Sequence, residues 1–455
     1  MSPTRLAEID SARLVHGFTN LSRHRQQGPV VITRGEGVRV FDESGRDYIE
    51  AAAGMWCAAF GFSEPALIEA AAEQFARLPY YHTLVSKSVD PAVRLAEKLS
   101  DIAPIENPRV YFALSGSEAN DFLVKFLWYA NNARGRPQKK KIISRVNGYH
   151  GATVVSTSLT GLPRNHALFD APLDRFLKVG DYNYYRQHRE GEDEAAFAAR
   201  LADELEAEIL RQGPETVAAF LAEPITGGGG VVVPPADYYP RIQQVLKKYD
   251  VLFLADEVIT GFGRTGQMFG CEALGIRPDA MVVGKAITGA YQPLAAVILS
   301  EEIYRGLEAG SDAVGSFGHG ATYSGYPVGC AVGLRAIDLI EERGLLAHTR
   351  EVGAHLMARL QALQGPHVGE VRGRGLMAVV ELVADPVSRR PFERPGAFAA
   401  LVQAKAEARG VIVRPTSPLD AIAFSPPLVI SHAEVDEMMD RFEAGLRDAT
   451  EAFDG

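Results

Sequence analysis

The sequence predicts an α/β fold of two domains, the larger built on a mostly parallel sheet flanked by helices, and three observations predict it. The apolar runs Val251-Leu252-Phe253-Leu254-Ala255 and Ala280-Met281-Val282-Val283 are short and unbroken, as strands buried on both faces are. Helical patterns alternate with such runs along the chain, the order that gives parallel pairing. A chain of 455 residues with 47% hydrophobic content can bury a large core and form more than one domain.

The two runs also carry the chemistry. The first ends in Asp256-Glu257-Val258 and the second in Gly284-Lys285. Parallel strands deliver their last residues to one edge of the sheet, so this acid and lysine could grip a cofactor from opposite sides. A lysine amine that condenses with an aldehyde must be neutral when it attacks, and burial favours that form. A carboxylate against a pyridine nitrogen keeps it protonated and makes the ring an electron sink. Pyridoxal phosphate needs that pair. On these residues alone, a surface lysine and a strand-end acid paired with Arg264 explain the sequence equally well.

A phosphate site is the added requirement. Ser115-Gly116-Ser117-Glu118-Ala119-Asn120 follows the strand-like Val110–Leu114 and opens a helical pattern running through Trp128. Such a turn offers an anion free N–H groups, a hydroxyl and the positive end of a helix dipole, here through Gly116 and Ser117. A plain helix cap is the alternative for Ser117. No Gly-x-Ser-x-Gly elbow occurs, and Gly284-Lys285-Ala286 lacks the upstream glycine and Ser/Thr of a nucleotide-binding loop.

With Leu254-Ala255-Asp256-Glu257-Val258, Gly261-Phe262-Gly263-Arg264-Thr265-Gly266 and Gly284-Lys285-Ala286 in this order, the chain resembles the class III aminotransferases, pyridoxal-phosphate enzymes of fold type I. The resemblance runs from about Phe18 to Arg414. It implies a large cofactor-binding domain over 61–328 and a smaller α+β domain from 1–60 and 329–455. It also implies that Lys285 holds pyridoxal 5'-phosphate as a Schiff base and shuttles the proton, with Asp256 at the ring nitrogen. Tyr149 covers the ring face, Glu223 lies on its hydroxyl side, and Val258 is a further cofactor-binding residue. Thr322 reaches the phosphate of the other subunit's cofactor, which makes a homodimer the functional unit, alone or within a tetramer.

For the substrates, the resemblance points to Phe18 and Trp56 as pocket walls, with core packing as the alternative. Tyr149 borders the substrate as well as the cofactor. Leu84 and Val85 line the partner's pocket, in positions where several amine-preferring relatives carry phenylalanines. Arg414, delivered by Val411-Ile412-Val413, aligns with the mobile arginine that binds a keto-acid carboxylate, a planar guanidinium being suited to bidentate capture. A structural salt bridge is the alternative for Arg414. Gly228 stands where relatives acting on ornithine or 4-aminobutyrate carry a gating glutamate, which favours the group that couples an amine or ω-amino acid to pyruvate. Tyr326 replaces the usual histidine before Pro327.

The rest of the sequence bounds the setting. A formal net charge of −10 argues against a nucleic-acid face, and the basic run Arg134 to Lys141 reads as a solvated loop. Three scattered cysteines suit a reducing compartment. The first residues show no apolar signal core and no run approaches membrane-spanning length, so a cytoplasmic protein is expected. His150 reads as a structural histidine behind the site. The expected partners are a small amine donor and a keto acid. Two alternatives stand: an aminomutase or decarboxylase of the same fold, and a catalytically silent binding protein.

Overall fold

The computed structural model describes residues 4–416 and 419–454; the first three residues of the N-terminal reading lie outside these. Two short helices, Arg5–Arg13 and Leu21–Gln27, precede a meander of β1 (Ile32–Glu36), β2 (Arg39–Asp42) and β3 (Asp47–Glu50). The alternation around Gly45 gives the β2–β3 pairing, with Val40 opposite Tyr48.

The central sheet has seven strands: β4 (Arg109–Ala113), β5 (Lys141–Arg145), β6 (Phe176–Val179), β7 (Val217–Ala222), β8 (Leu252–Asp256), β9 (Ala280–Val283) and β10 (Ala295–Leu299). They lie in the order β4-β10-β9-β8-β7-β5-β6. The pairings from β9 through β6 are parallel, and β10 is antiparallel to both its neighbours. It follows that β4 runs the same way as β9, and six loops leave one edge: those after β4, β5, β6, β7, β8 and β9. Every side chain of β7 and β9 is buried, which explains runs without polar interruption. Alternate residues face opposite layers, Phe220, Phe253 and Met281 into one core and Leu221, Leu254 and Val282 into the other.

The last strands are β11 (Val368–Gly373), β12 (Ala378–Leu382), β13 (Val411–Ile412), β14 (Arg414–Thr416) and β15 (Ala421–Phe424). An antiparallel sheet takes β11-β12-β15-β14, while β13 pairs in parallel with β3. Segments from the two ends of the chain therefore share a sheet, and Arg414 lies where the backbone leaves that sheet for the next.

One reading needs correction here. Lys139, in the basic run expected to be solvated, is only 5% exposed and its ammonium pairs with Asp250 at 2.7 Å. Gly135, Pro137 and Gln138 of the run are exposed, so the correction concerns Lys139. In helix Pro65–Arg77 Leu67 is fully buried, while Phe75 is 46% exposed. The three cysteines are free, and no helix of the described residues is long and apolar enough to cross a membrane.

Candidate active site

Five of the loops at this edge of the central sheet, those after β4, β5, β7, β8 and β9, enclose a cavity of about 420 Å³. Asp256, the last residue of β8, is 4% exposed and reaches it with a fixed carboxylate. His150 Nδ1 lies 2.8 Å from Asp256 Oδ2, and Asn120 Nδ2 donates to the same oxygen at 3.0 Å. Oδ1 accepts only the Val258 amide, at 3.2 Å, among the described residues. Arg264, the alternative partner, is turned away: its guanidinium donates to the carbonyls of Leu376 and Pro426.

Lys285 lines the same cavity. Its φ of 47° puts a side-chain-bearing residue in the left-handed region, a strain of order 1–3 kcal/mol that the surrounding structure must hold. Desolvation lowers its pKa below the ordinary lysine value, and the nearby Cys57, Asp256 and Glu223 offset only part of that. Burial thus shifts the balance toward the neutral amine.

The helix Gly116–Ala133 begins directly after β4 with its N-terminus at the cavity. Ser115, not Ser117, is the cap: its side chain accepts the Glu118 amide. Ser117 Oγ instead accepts the Ala152 amide at 3.0 Å, joining the helix to the loop after β5. Helix geometry leaves the Gly116 and Ser117 amides without intrahelical acceptors. A Cβ on Gly116 would lie 2.8 Å from Val258 Cγ2, so the glycine allows the loop after β8 to approach.

Glu223, at the end of β7, is 2% exposed, accepting the Tyr149 amide at 3.0 Å and the Gly227 amide at 2.9 Å. Burial raises its pKa. It anchors the glycine-rich loop and positions Tyr149, whose ring lies edge-on to Phe18 with centroids 6.2 Å apart. Phe18 lines not this cavity but a second one of about 510 Å³, with Val154, Arg164 and Phe169.

Trp56 does not wall the cavity. It is 3% exposed and packs among Ile225, Val231, Met377 and Val379, the core position that was the alternative. The cause is an unusual turn in which Ala53, Gly54, Met55 and Trp56 all have positive φ. Buried Glu50 holds the turn by accepting the Ala52 and Gly54 amides at 2.9 and 2.7 Å. The turn directs Cys57 to the cavity and Met55 to Arg414, whose Nη1 touches the Met55 sulfur.

Arg414 has no carboxylate partner among the described residues, and its buried Nε lacks a hydrogen bond. Burial lowers its pKa, with the Tyr149 hydroxyl as the leading opposing influence. Thr322, Leu84 and Val85 lie outside this chain's cavity. The segments that carry them meet: Tyr80 donates to the Thr322 carbonyl at 3.0 Å and Leu84 sits against Gly320, while Val85 is 82% exposed.

Sequence reasoning missed Asn120, Cys57, Thr288 and Gln292. Only Asn120 left a signal, since its place one helical turn after Ser117 puts both on one face. The other three reach the cavity through loop and turn geometry.

A model of the family described as "Aminotransferase class-III" matches residues 21–446. The chain belongs to the class III aminotransferases. It is 45% identical over 425 residues to a probable gamma-aminobutyrate transaminase 3 of Oryza sativa subsp. indica, covering 93% of this chain and 83% of that protein. The omega transaminase of Pseudomonas jessenii, solved in complex with PMP, is 50% identical with a TM-score of 0.97, covering 99% of each chain. A transaminase solved with L-ala is 49% identical with a TM-score of 0.91, covering 93% of this chain and all of that one. This aminotransferase is a pyridoxal-phosphate enzyme of fold type I. Its residues fit that cofactor: a fixed buried carboxylate, a lysine whose pKa burial lowers, and a helix start with free amides share one cavity.

Proposed function

We propose that this aminotransferase moves an amino group from an amine or ω-amino acid donor to pyruvate, in two half-reactions at one site. The observation that carries the choice of acceptor is Arg414, a guanidinium beside the site with no carboxylate partner among the described residues. Position 228 supplies no competing acid, because it is glycine, with space above Tyr149. The likeness to a transaminase solved with L-ala supports the reading, alanine being the aminated form of pyruvate. The gamma-aminobutyrate relatives support a donor with a terminal amine.

Bound pyridoxal phosphate supplies the electron sink that makes the donor's carbon acidic. Asp256 would hold the ring nitrogen protonated, while His150 and Asn120 fix its carboxylate. Lys285 would bond the cofactor at rest and, once displaced by the donor, carry the proton from the donor carbon. Gly116 and Ser117 would hold the phosphate, Tyr149 and Val258 the ring, and Glu223 the backbone beneath Tyr149.

Initial rates with a single donor test the acceptor. Pyruvate is expected to outperform 2-oxoglutarate, and equal or faster turnover with 2-oxoglutarate overturns the choice. Arg414→Leu is expected to raise the KM for pyruvate by roughly 10- to 100-fold, the value of a charge-assisted pair. It should leave the half-reaction with an uncharged-tail amine near the parent rate.

The functional unit in this reading is a homodimer, with Thr322, Leu84 and Val85 completing the partner's site. Mixing a Lys285→Ala variant with a Thr322→Ala variant then creates one site that has both residues. At limiting cofactor the mixture should exceed the Thr322→Ala protein alone, whereas no gain on subunit exchange would place Thr322 outside the site.

A further inference from the structure

The two N-terminal helices Arg5–Arg13 and Leu21–Gln27 are joined by residues 14–20, and Phe18 stands in that joint with φ 53°. Its ring contacts Tyr149, so the arm borders the active site. At the base of the arm three donor groups converge. His16 Nε2 lies 2.9 and 3.0 Å from the two oxygens of Asp10, and His24 Nε2 lies 2.9 Å from Asp10 Oδ1. The imidazole centroids are 4.1 Å apart. Among the described residues no lysine or arginine pairs with Asp10, although its side chain is only 17% exposed.

We propose that Asp10, His16 and His24 form a binding site for a borderline divalent metal ion of the zinc and cobalt class, which fastens the arm that carries Phe18. One ligand atom from each residue can be chosen so that all lie within 4.8 Å of one another. Ligands at tetrahedral bonds of about 2.0 Å stand roughly 3.3 Å apart, so small rotations bring these three around one ion. Two imidazole nitrogens and one carboxylate oxygen suit zinc or cobalt rather than magnesium or calcium, which prefer all-oxygen shells. Three protein ligands leave a position for water. The ion would also balance a carboxylate that otherwise has only imidazoles beside it.

The three ligands come from the first helix, the joint and the second helix, so one ion would restrain the whole arm. Phe18 would then be held over Tyr149 rather than free to swing. The rival is a metal-free knot in which both imidazoles donate to Asp10, and it makes a different prediction about cobalt.

The test uses the cofactor-loaded enzyme stripped of metal with EDTA and titrated with CoCl2, read by visible d–d absorption. The expected result is saturation at one ion per chain. His16→Ala and His24→Ala should each weaken binding by at least the roughly tenfold that loss of even an outer-sphere partner costs, while His188→Ala should match the parent. Hydrogen exchange gives a readout that needs no variant: adding ZnCl2 to the stripped parent should slow exchange over residues 14–20. No cobalt binding by the parent, equal binding by a His16→Ala/His24→Ala double variant, or unchanged exchange in the arm would overturn the site.

Discussion

Lys285→Ala should cut turnover by about four orders of magnitude, the upper end of what a positioned proton-transfer group supplies. Two losses combine in the proposed mechanism. The variant would lack the covalent hold on the cofactor at rest, and two neighbouring acid–base groups are committed elsewhere: His150 to Asp256, and Glu223 to the amides of Tyr149 and Gly227. Stopped-flow absorbance of the variant mixed with a single donor would read the chemistry without product release. A rate within tenfold of the parent would remove Lys285 from the reaction. The lowered pKa of this buried lysine adds a second consequence for the cofactor-free protein. The unfolded chain binds its proton more tightly, so the contribution of Lys285 to stability rises with pH until the unfolded-state pKa is passed. At neutral pH the cofactor-free Lys285→Met protein should therefore melt at or above the temperature of the cofactor-free parent, as scanning calorimetry would show.

Asp256→Asn should slow the donor half-reaction by roughly two to three orders of magnitude, the scale on which a preorganised electrostatic partner acts. An amide keeps the shape and an acceptor for the His150 and Asn120 contacts, yet it lacks the charge that keeps a pyridine nitrogen protonated. The measurement that separates charge from folding is the single-turnover rate beside the cofactor dissociation constant. Chemistry should fall far more than binding. If both fall together, Asp256 is a structural anchor. His150→Gln, which removes a fixed contact but no formal charge from Asp256, should cost less than Asp256→Asn in the same assay.

Much of this arrangement is legible in the sequence because the two decisive strands are buried on both faces. Continuous apolar runs ending in Asp256 and Lys285 report burial directly, and parallel pairing then puts their ends on one edge. The helix after β4 was equally visible, although Ser115 rather than Ser117 caps it: both spacings are compatible with a start, and the choice depends on which backbone amide is left free. What escaped detection depends on distant contacts. Trp56 is turned into the core by four consecutive residues of positive φ held by Glu50, a conformation that Ala-Gly-Met-Trp does not announce. The solvated reading of Lys139 failed because its partner, Asp250, is remote in sequence. Arg414 was expected at a strand end, but its position between two small sheets needed the pairing of β13 with β3, a two-residue strand with no periodicity to detect.

That pairing bears on how the protein is made. Ile49 meets Val411, so the edge of the first sheet stays unfilled while nearly the whole chain is synthesised. At roughly 5–20 residues per second, ribosomes take on the order of tens of seconds to deliver the missing strand. For that time β3 presents an open edge beside the growing central sheet, and chaperone capture of nascent chains should be concentrated on lengths that end before Val411.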